Sequence, residues 1–440
     1  MHAAAGGVRA APPGGEPALR RAVSRWQIVG LSLNDVVGSG VYLLPAAAAA
    51  LLGPSSLLAV IAAGFAVALL VLCFAEASSH FEEPGGAYLY ARTAFGDLVG
   101  FQVGWMTWIA RIASVSSLSV GFAQALGYLW PATESGLPRT LAIALPLLAL
   151  TLVNVLGVRS AVGTAMVLTI GKIAPLVVFC LAGLFAARWE TLAAQPAGSG
   201  RLGEAALLIL FAYAGFENTP APAGEFRNPR RDVPFALLVQ VAIVTTLYVS
   251  AQWVALGTLP NAAESATPLA DAAERFLGGW GGILMTAGAV VSILGTNSNS
   301  VLAGPRYLLA LARDGYGPRF LAAIHPTFRT PARAILFQAA LVLPLALSGT
   351  FTALAALSVV ARLTSYVGTA AAVPVLRRKL GRGAWQIPFG SVIPAAAVAM
   401  SLALAAGASA RSLISAGVAL ALGLVVFLLR DDAQPRRQPS

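Results

Sequence analysis

Apolar stretches of about 20 residues recur from one end of this 440-residue chain to the other. Each is long enough to cross about 30 Å of hydrocarbon. Inside lipid a backbone has no water to bond with, so its N–H and C=O groups must satisfy one another within a helix or a closed barrel. Segments of this length select the helix. Composition agrees: 58% of the residues are hydrophobic and only 11% charged, against about a quarter charged in soluble domains. The expected class is an all-α polytopic membrane protein.

Hydropathy marks twelve spans, at 26–51, 56–76, 97–129, 138–156, 162–186, 204–224, 233–257, 279–311, 333–348, 351–376, 388–406 and 411–429. Loops after even-numbered spans, together with both tails, carry 21 of the 29 basic residues; loops after odd-numbered spans carry five. The positive-inside rule then puts both termini in the cytoplasm, in a multi-pass protein of the cell (inner) membrane. The same rule accounts for the net charge of +11 without a nucleic-acid partner. Residues 1–25 are Ala/Gly/Pro-rich and lack an apolar core, so they read as a disordered cytoplasmic tail rather than a cleavable signal. The expected core covers 26–376, spans 11 and 12 cover 388–429, and 430–440 form a second cytoplasmic tail.

Two spans are interrupted at mid-depth. Span 1 contains DVVGSGVYLLP at 35–45, and span 6 contains AYAGFENTP at 212–220. The interruptions lie five spans apart, as expected for inverted repeats at 26–186 and 204–376. Breaks in corresponding spans point to the binding site of a secondary transporter. Unwinding strands backbone groups, which is tolerable only where they line a cavity or meet a ligand. A half-helix beginning near Ser39 aims free N–H groups and a positive dipole end at the midplane, which suits a carboxylate. Half-helices ending near Val37 and Ala214 offer carbonyls, which suit an ammonium. An α-amino acid carries both groups.

Here the chain resembles the amino acid–polyamine–organocation (APC) superfamily over nearly its whole length. The likeness rests on VVGSGVYLLPA in span 1, FEEPGGAYLYARTAFG at 81–96, FAYAGFENTPAPAGEFRNPRRDVPFAL from span 6, and GPRYLLALARDGYGPRFLAAIHPTFRTPARA after span 8. The resemblance implies the LeuT-type five-plus-five inverted repeat, with helices 1 and 6 discontinuous, and alternating access to a central site. It also implies that Val37, Ser39 and Gly40 hold the substrate carboxylate, with Gly38 and Arg111 also in the substrate site, and that Ala214 and Gly215 lie near its amino group. Phe211 matches an aromatic gate over the substrate.

Ionisable residues at membrane depth are costly enough to count as functional candidates. They are Asp35, Arg111, Lys172, Glu217 and Arg362; Glu76 reads as solvated at the end of span 2. By the resemblance, the Lys172 ammonium stands where sodium-coupled relatives hold their ion, which makes the protein sodium-independent. A proton-releasing lysine is the favoured reading over a fixed structural cation. Asp35 has three open roles: attracting an amino group, carrying a proton, or pairing with a buried cation. Glu217 resembles a gating or proton-responsive acid. For Arg111, pairing with Asp35 or Glu217 lowers the desolvation cost, whereas an unpaired Arg111 favours an anionic side chain. Arg362 pairs with a span 6 acid or faces a vestibule.

The expected function is secondary active transport of amino acids, proton-coupled, with neutral L-amino acids favoured. Small residues (Ala110, Ala113, Ser114, Ala212 and Ser292) leave space for a side chain. A proton-independent amino acid or polyamine exchanger and a non-transporting amino acid sensor are the alternatives. The sequence contains neither a Walker motif nor a His/Cys cluster, so no enzyme, ATP hydrolysis, cofactor or metal is expected. Cys73 and Cys180 sit inside apolar segments as packing residues. The expected partners are the amino acid, protons and the bilayer; oligomeric state is not legible.

Overall fold

Helices make up most of the computed structural model, which describes residues 23–83, 85–156, 161–195, 198 and 200–429. The helices are α1 (Arg25–Val36), α2 (Ser39–Leu52), α3 (Ser56–Ser79), α4 (Gly86–Phe95), α5 (Asp97–Leu126), α6 (Gly136–Leu156), α7 (Ala161–Ala186) and α8 (Trp189–Ala193). They continue as α9 (Leu202–Tyr213), α10 (Pro229–Thr258), α11 (Pro268–Leu277), α12 (Gly279–Arg313), α13 (Ala332–Ser348), α14 (Phe351–Leu380), α15 (Val392–Ala406) and α16 (Ala410–Leu428). Among the described residues the β-pairing is an isolated bridge between Val23 and Phe226. The expected tails at 1–22 and 430–440 lie outside the described residues.

Eight stretches among the described residues are long and apolar enough to cross a membrane. One of them, Ser39–Ser79, runs from α2 through the tight turn Gly53–Ser55 into α3. Three further apolar helices, α9, α13 and α15, are shorter, at 12, 17 and 15 residues. A 12-residue helix is about 18 Å long, so α9 alone does not cross the hydrocarbon. Two expected spans are only partly continuous. Span 1 divides into α1 and α2, and span 6 is α-helical only as far as Tyr213, continuing as 3-10 turns at Phe216–Asn218 and Ala223–Glu225.

Burial sorts the long helices into a centre and a rim. The apolar windows of α5 and α14 are 78% and 72% buried, while those of α6 and α16 are only 22% buried. The rim helices turn Leu141, Leu145, Leu148, Leu152, Val418, Leu422 and Val425 outward, as a face against lipid tails requires. The central helices instead carry Ser116, Ser117, Ser119, Ser358, Ser365 and Thr369, all buried. Two of these hydroxyls join α5 to α14: Ser117 Oγ donates to Phe351 O (2.9 Å) and Ser358 Oγ to Ala110 O (2.9 Å). Small and hydroxyl-bearing residues are what allow apolar helices to pack closely in lipid.

Glu76 departs from the sequence expectation. Instead of reaching solvent it is fully buried at the end of α3, gripped by Arg377 Nε and Nη2 at 2.5 and 2.7 Å. Its Oε2 also accepts the Ile387 N–H (2.8 Å). A buried charge is tolerable only when paired and hydrogen-bonded; the last turn of α14 supplies the pair through Arg377, and the loop after it supplies the Ile387 N–H.

Candidate functional site

The first break is a gap of two residues. α1 ends at Val36, Val37 is extended (φ −73°, ψ 96°), and α2 begins at Ser39. The carbonyls left without helical partners at the end of α1 meet a cation. Lys172 Nζ from α7 donates to Asn34 O and Val37 O, both at 2.9 Å, and to Thr296 Oγ1 at 3.1 Å. Ser292 Oγ donates to Val37 O as well (2.8 Å). On the other side of the gap, the first turn of α2 has the unshared N–H groups and positive end common to helix N-termini. The Ser39 hydroxyl at that end is fully buried and has no hydrogen-bond partner among the described residues.

The second break follows Tyr213. Ala214 is extended, and Gly215 has φ +133°, a region that side-chain-bearing residues rarely enter. A Cβ on Gly215 would also stand 2.7 Å from Asp35 O. A Cβ on Gly40 would stand 2.5 Å from Ala212 Cα. Glycine at both positions therefore lets the two interrupted helices touch. Tyr248 from α10 ties them together, its hydroxyl lying 2.9 Å from Ala212 O and 3.3 Å from Val36 O.

Of the two readings for Arg111, the one without an ion pair to Asp35 or Glu217 is found among the described residues. Glu217 forms its ion pair with Arg362 from α14. The same carboxylate accepts the Gly215 N–H (2.9 Å), and Tyr366 OH lies 3.3 Å from it. It thereby caps the second break. Asp35, half-buried, accepts a hydrogen bond from the Asn299 amide. Arg111 is 3% exposed; its Nη1 donates to Ser300 Oγ (3.3 Å), while Nε and Nη2 have no hydrogen-bond partner among the described residues. Of the two readings for Arg362, pairing with a span 6 acid is the one found.

Val37, Gly38, Ser39, Gly40, Ala214 and Gly215 thus come together around the two breaks, with Lys172 and Glu217 on their backbone. Phe211, one turn before the second break, meets Phe351 edge to face with ring centroids 6.0 Å apart. Three of the five small residues make contacts between helices. Ala212 packs on Gly40, Ser292 bonds to the first break, and Ala110 accepts from Ser358. Thr296, Asn299 and Ser300 were not picked out by sequence reasoning. Their signal was the polar run TNSNS at 296–300 in the middle of an apolar span. Tyr248 had no comparable signal. Among the described residues no group of three or more His, Cys, Asp or Glu is placed to hold a metal.

Comparison with known proteins decides the family. Residues 23–426 match the amino acid permease family model, which takes in both breaks, Lys172, Arg111 and the α14 charges. The chain belongs to the amino acid permease family. Relatives of this permease chain include the serine/threonine exchanger SteT of Bacillus subtilis, 30% identical over 90% of this chain and 92% of the relative. The methylthioribose transporter of the same organism is 26% identical over 93% of each chain. Its branched-chain amino acid permease BcaP is 26% identical over 94% of each. Like these relatives, the permease is a membrane-spanning member of a transporter family and not an enzyme.

Proposed function

We propose that the chain moves amino acids across the cytoplasmic membrane by alternating access, with the substrate held between the two breaks. The observation that carries this is the direct contact of the interrupted α1–α2 and α9 segments, with the buried Ser39 hydroxyl unpartnered at the positive end of α2. The substrate carboxylate takes the α2 end through Ser39, Gly40 and their backbone N–H groups. The ammonium lies toward the carbonyl ends at Val37 and Ala214. Phe211 covers the occupied site.

In this reading the twelve-span, LeuT-type arrangement holds: α1–α2, α3, α5, α6 and α7 form one repeat (26–186). The segment from α9 through the second break, with α10, α12, α13 and α14, forms the other (204–376). α15 and α16 are appended, and both termini are cytoplasmic. Lys172 supports sodium independence, because its ammonium fills a set of carbonyl and hydroxyl oxygens that suits a cation. Proton coupling through Lys172 follows as the favoured mode, with Asp35 and Glu217 as the acids that respond to its charge. Proton-independent exchange is the second reading, in which the three hydrogen bonds to Nζ hold Lys172 as a fixed structural cation. A neutral side chain is the sequence expectation for the substrate, and the unpartnered edge of Arg111 bears on that choice.

Proteoliposomes loaded with the purified chain test the proposal by uptake of labelled amino acids with and without an imposed pH gradient. Uptake that grows with an inward proton gradient is expected. Binding without flux removes transport in favour of a sensor. Flux that ignores the gradient and needs amino acid inside the vesicles establishes exchange instead.

A further inference from the structure

Three arginines of this chain can be compared at the same edge of the guanidinium, the one formed by Nε and Nη2. In Arg377 that edge grips both oxygens of Glu76, at 2.5 and 2.7 Å. In Arg25 it grips Asp232 Oδ1, at 3.2 and 3.1 Å. In Arg111 the same two atoms, Nε and Nη2, are buried without a hydrogen-bond partner among the described residues. The opposite corner is tethered, Nη1 donating to Ser300 Oγ on α12. The side chain is therefore held from behind, with its carboxylate-gripping edge unpartnered and no carboxylate among the described residues in an ion pair with it.

Charge counting agrees with geometry. Five ionisable residues lie at depth around the breaks: Asp35, Glu217, Arg111, Lys172 and Arg362. Glu217 and Arg362 cancel as a direct pair. Asp35, hydrogen-bonded to Asn299, offsets one of the two remaining cations, Lys172 or Arg111. One positive charge is left over with all five ionised. An uncompensated guanidinium at 3% exposure is a costly feature in hydrocarbon. A zwitterionic amino acid with a neutral side chain brings no net charge and leaves that cost in place. A substrate with one extra negative charge removes it, and a carboxylate matches the planar fork with two charge-assisted hydrogen bonds.

From the presented edge and this balance, we infer that Arg111 is a specificity-determining residue that receives the side-chain carboxylate of an acidic amino acid. The inference rests on the transporter reading above and deepens it by naming the substrate class. The α-carboxylate and ammonium stay on the two breaks. Arg111, reaching in from α5 beside Asp35, Ser300 and Tyr307, supplies the third point of attachment. Three points select both the charge and the length of the side chain.

Isosteric pairs give the test: uptake of L-glutamate against L-glutamine, and of L-aspartate against L-asparagine, by the unaltered chain in proteoliposomes. At least one acid is expected to exceed its amide by about tenfold or more in kcat/KM, the scale of one charge-assisted contact. Arg111→Gln lowers that acid-to-amide ratio at least tenfold, and Arg111→Lys, which keeps the charge but loses the fork, falls between. The wild-type ratios need no variant to fold. Uptake of amides and other neutral amino acids without the acids overturns this inference and leaves the transporter reading standing. So does an acid-to-amide ratio unchanged in Arg111→Gln. Failure of every amino acid to move defeats the transporter reading itself, and this inference with it.

Discussion

The two broken helices solve one problem with opposite charges. At the first break the stranded groups are carbonyls, and a cation from a distant helix, Lys172, bonds to them directly. At the second the stranded group is the Gly215 amide, and an anion two residues along the same segment, Glu217, bonds to it. The difference lies in what stands behind each charge. Glu217 is backed by Arg362 and Tyr366, so the second break is locked inside an ion pair. Lys172 touches only neutral oxygens, so its charge rests on carbonyl and hydroxyl dipoles. A closed pair suits a fixed support; a cation without a contacting counter-ion suits a group whose charge changes during transport.

The largest effect expected from this comparison is at the second break. Glu217→Ala leaves Arg362 buried without its partner, and breaking a buried pair from one side costs about 3–5 kcal/mol. Thermal unfolding of the detergent-solubilised chain should show a strong loss of stability. Combining Glu217→Gln with Arg362→Met should recover more than half of it, because neither charge is then stranded. Equal loss in the single and double variants would show that the pair is not what locks this break.

Next is the first break. Lys172→Ala strands the Asn34 and Val37 carbonyls but leaves no contacting charge unpaired. The stability cost should be smaller, about 1–3 kcal/mol for the buried acceptors. The functional loss should be larger: uptake falls at least tenfold and no longer responds to a pH gradient. Retained gradient dependence would move the proton site away from Lys172, and the contrast between the two breaks would then be structural only.

The two breaks were legible in the sequence because glycine and polar residues weaken a helix inside an apolar span, a cost with little return unless the helix opens there. Gly38-Ser39-Gly40 and Ala214-Gly215 announced both. The ionisable residues at depth were legible for the same reason. Their pairing was not. Whether Glu217 meets Arg111 or Arg362 depends on how α14 and α5 lie beside the second break, across 145 residues of chain in one case and 106 in the other. No local pattern encodes that crossing. Asn299 and Thr296 show a subtler limit. The run TNSNS marks α12 as polar at depth, yet the letters do not say that Thr296 turns to Lys172 and Asn299 to Asp35. The same holds for the small residues: the letters say that they leave space, not that Ala212 lies against Gly40.

Glycine contacts separate the two sides of the first break. At Gly40 a methyl group would press on the Ala212 backbone at 2.5 Å, with no flexible atom to move aside. Gly40→Ala should therefore cost about 1–3 kcal/mol through overpacking and push α2 off the second break. At Gly38 the nearest atoms are the Thr296 side chain at 3.4 Å, so Gly38→Ala should be the milder change in both unfolding and uptake. If the two alanine variants behaved alike, contact between the broken helices would not be what requires glycine there.

The smallest effect tests the tie between the breaks. Tyr248 spans both, with Val36 O on one side and Ala212 O on the other. Tyr248→Phe removes the hydroxyl and keeps the ring against Tyr213, 5.0 Å away between centroids. One hydrogen bond is worth about 0.5–1.5 kcal/mol net, so the unfolding shift should be modest. If the hydroxyl couples the two breaks as they separate and close, the variant should change the rate of uptake more than the apparent affinity. A change in affinity alone would place Tyr248 on the substrate side of the contact instead, since a tie between helices acts on how they move together rather than on what they bind.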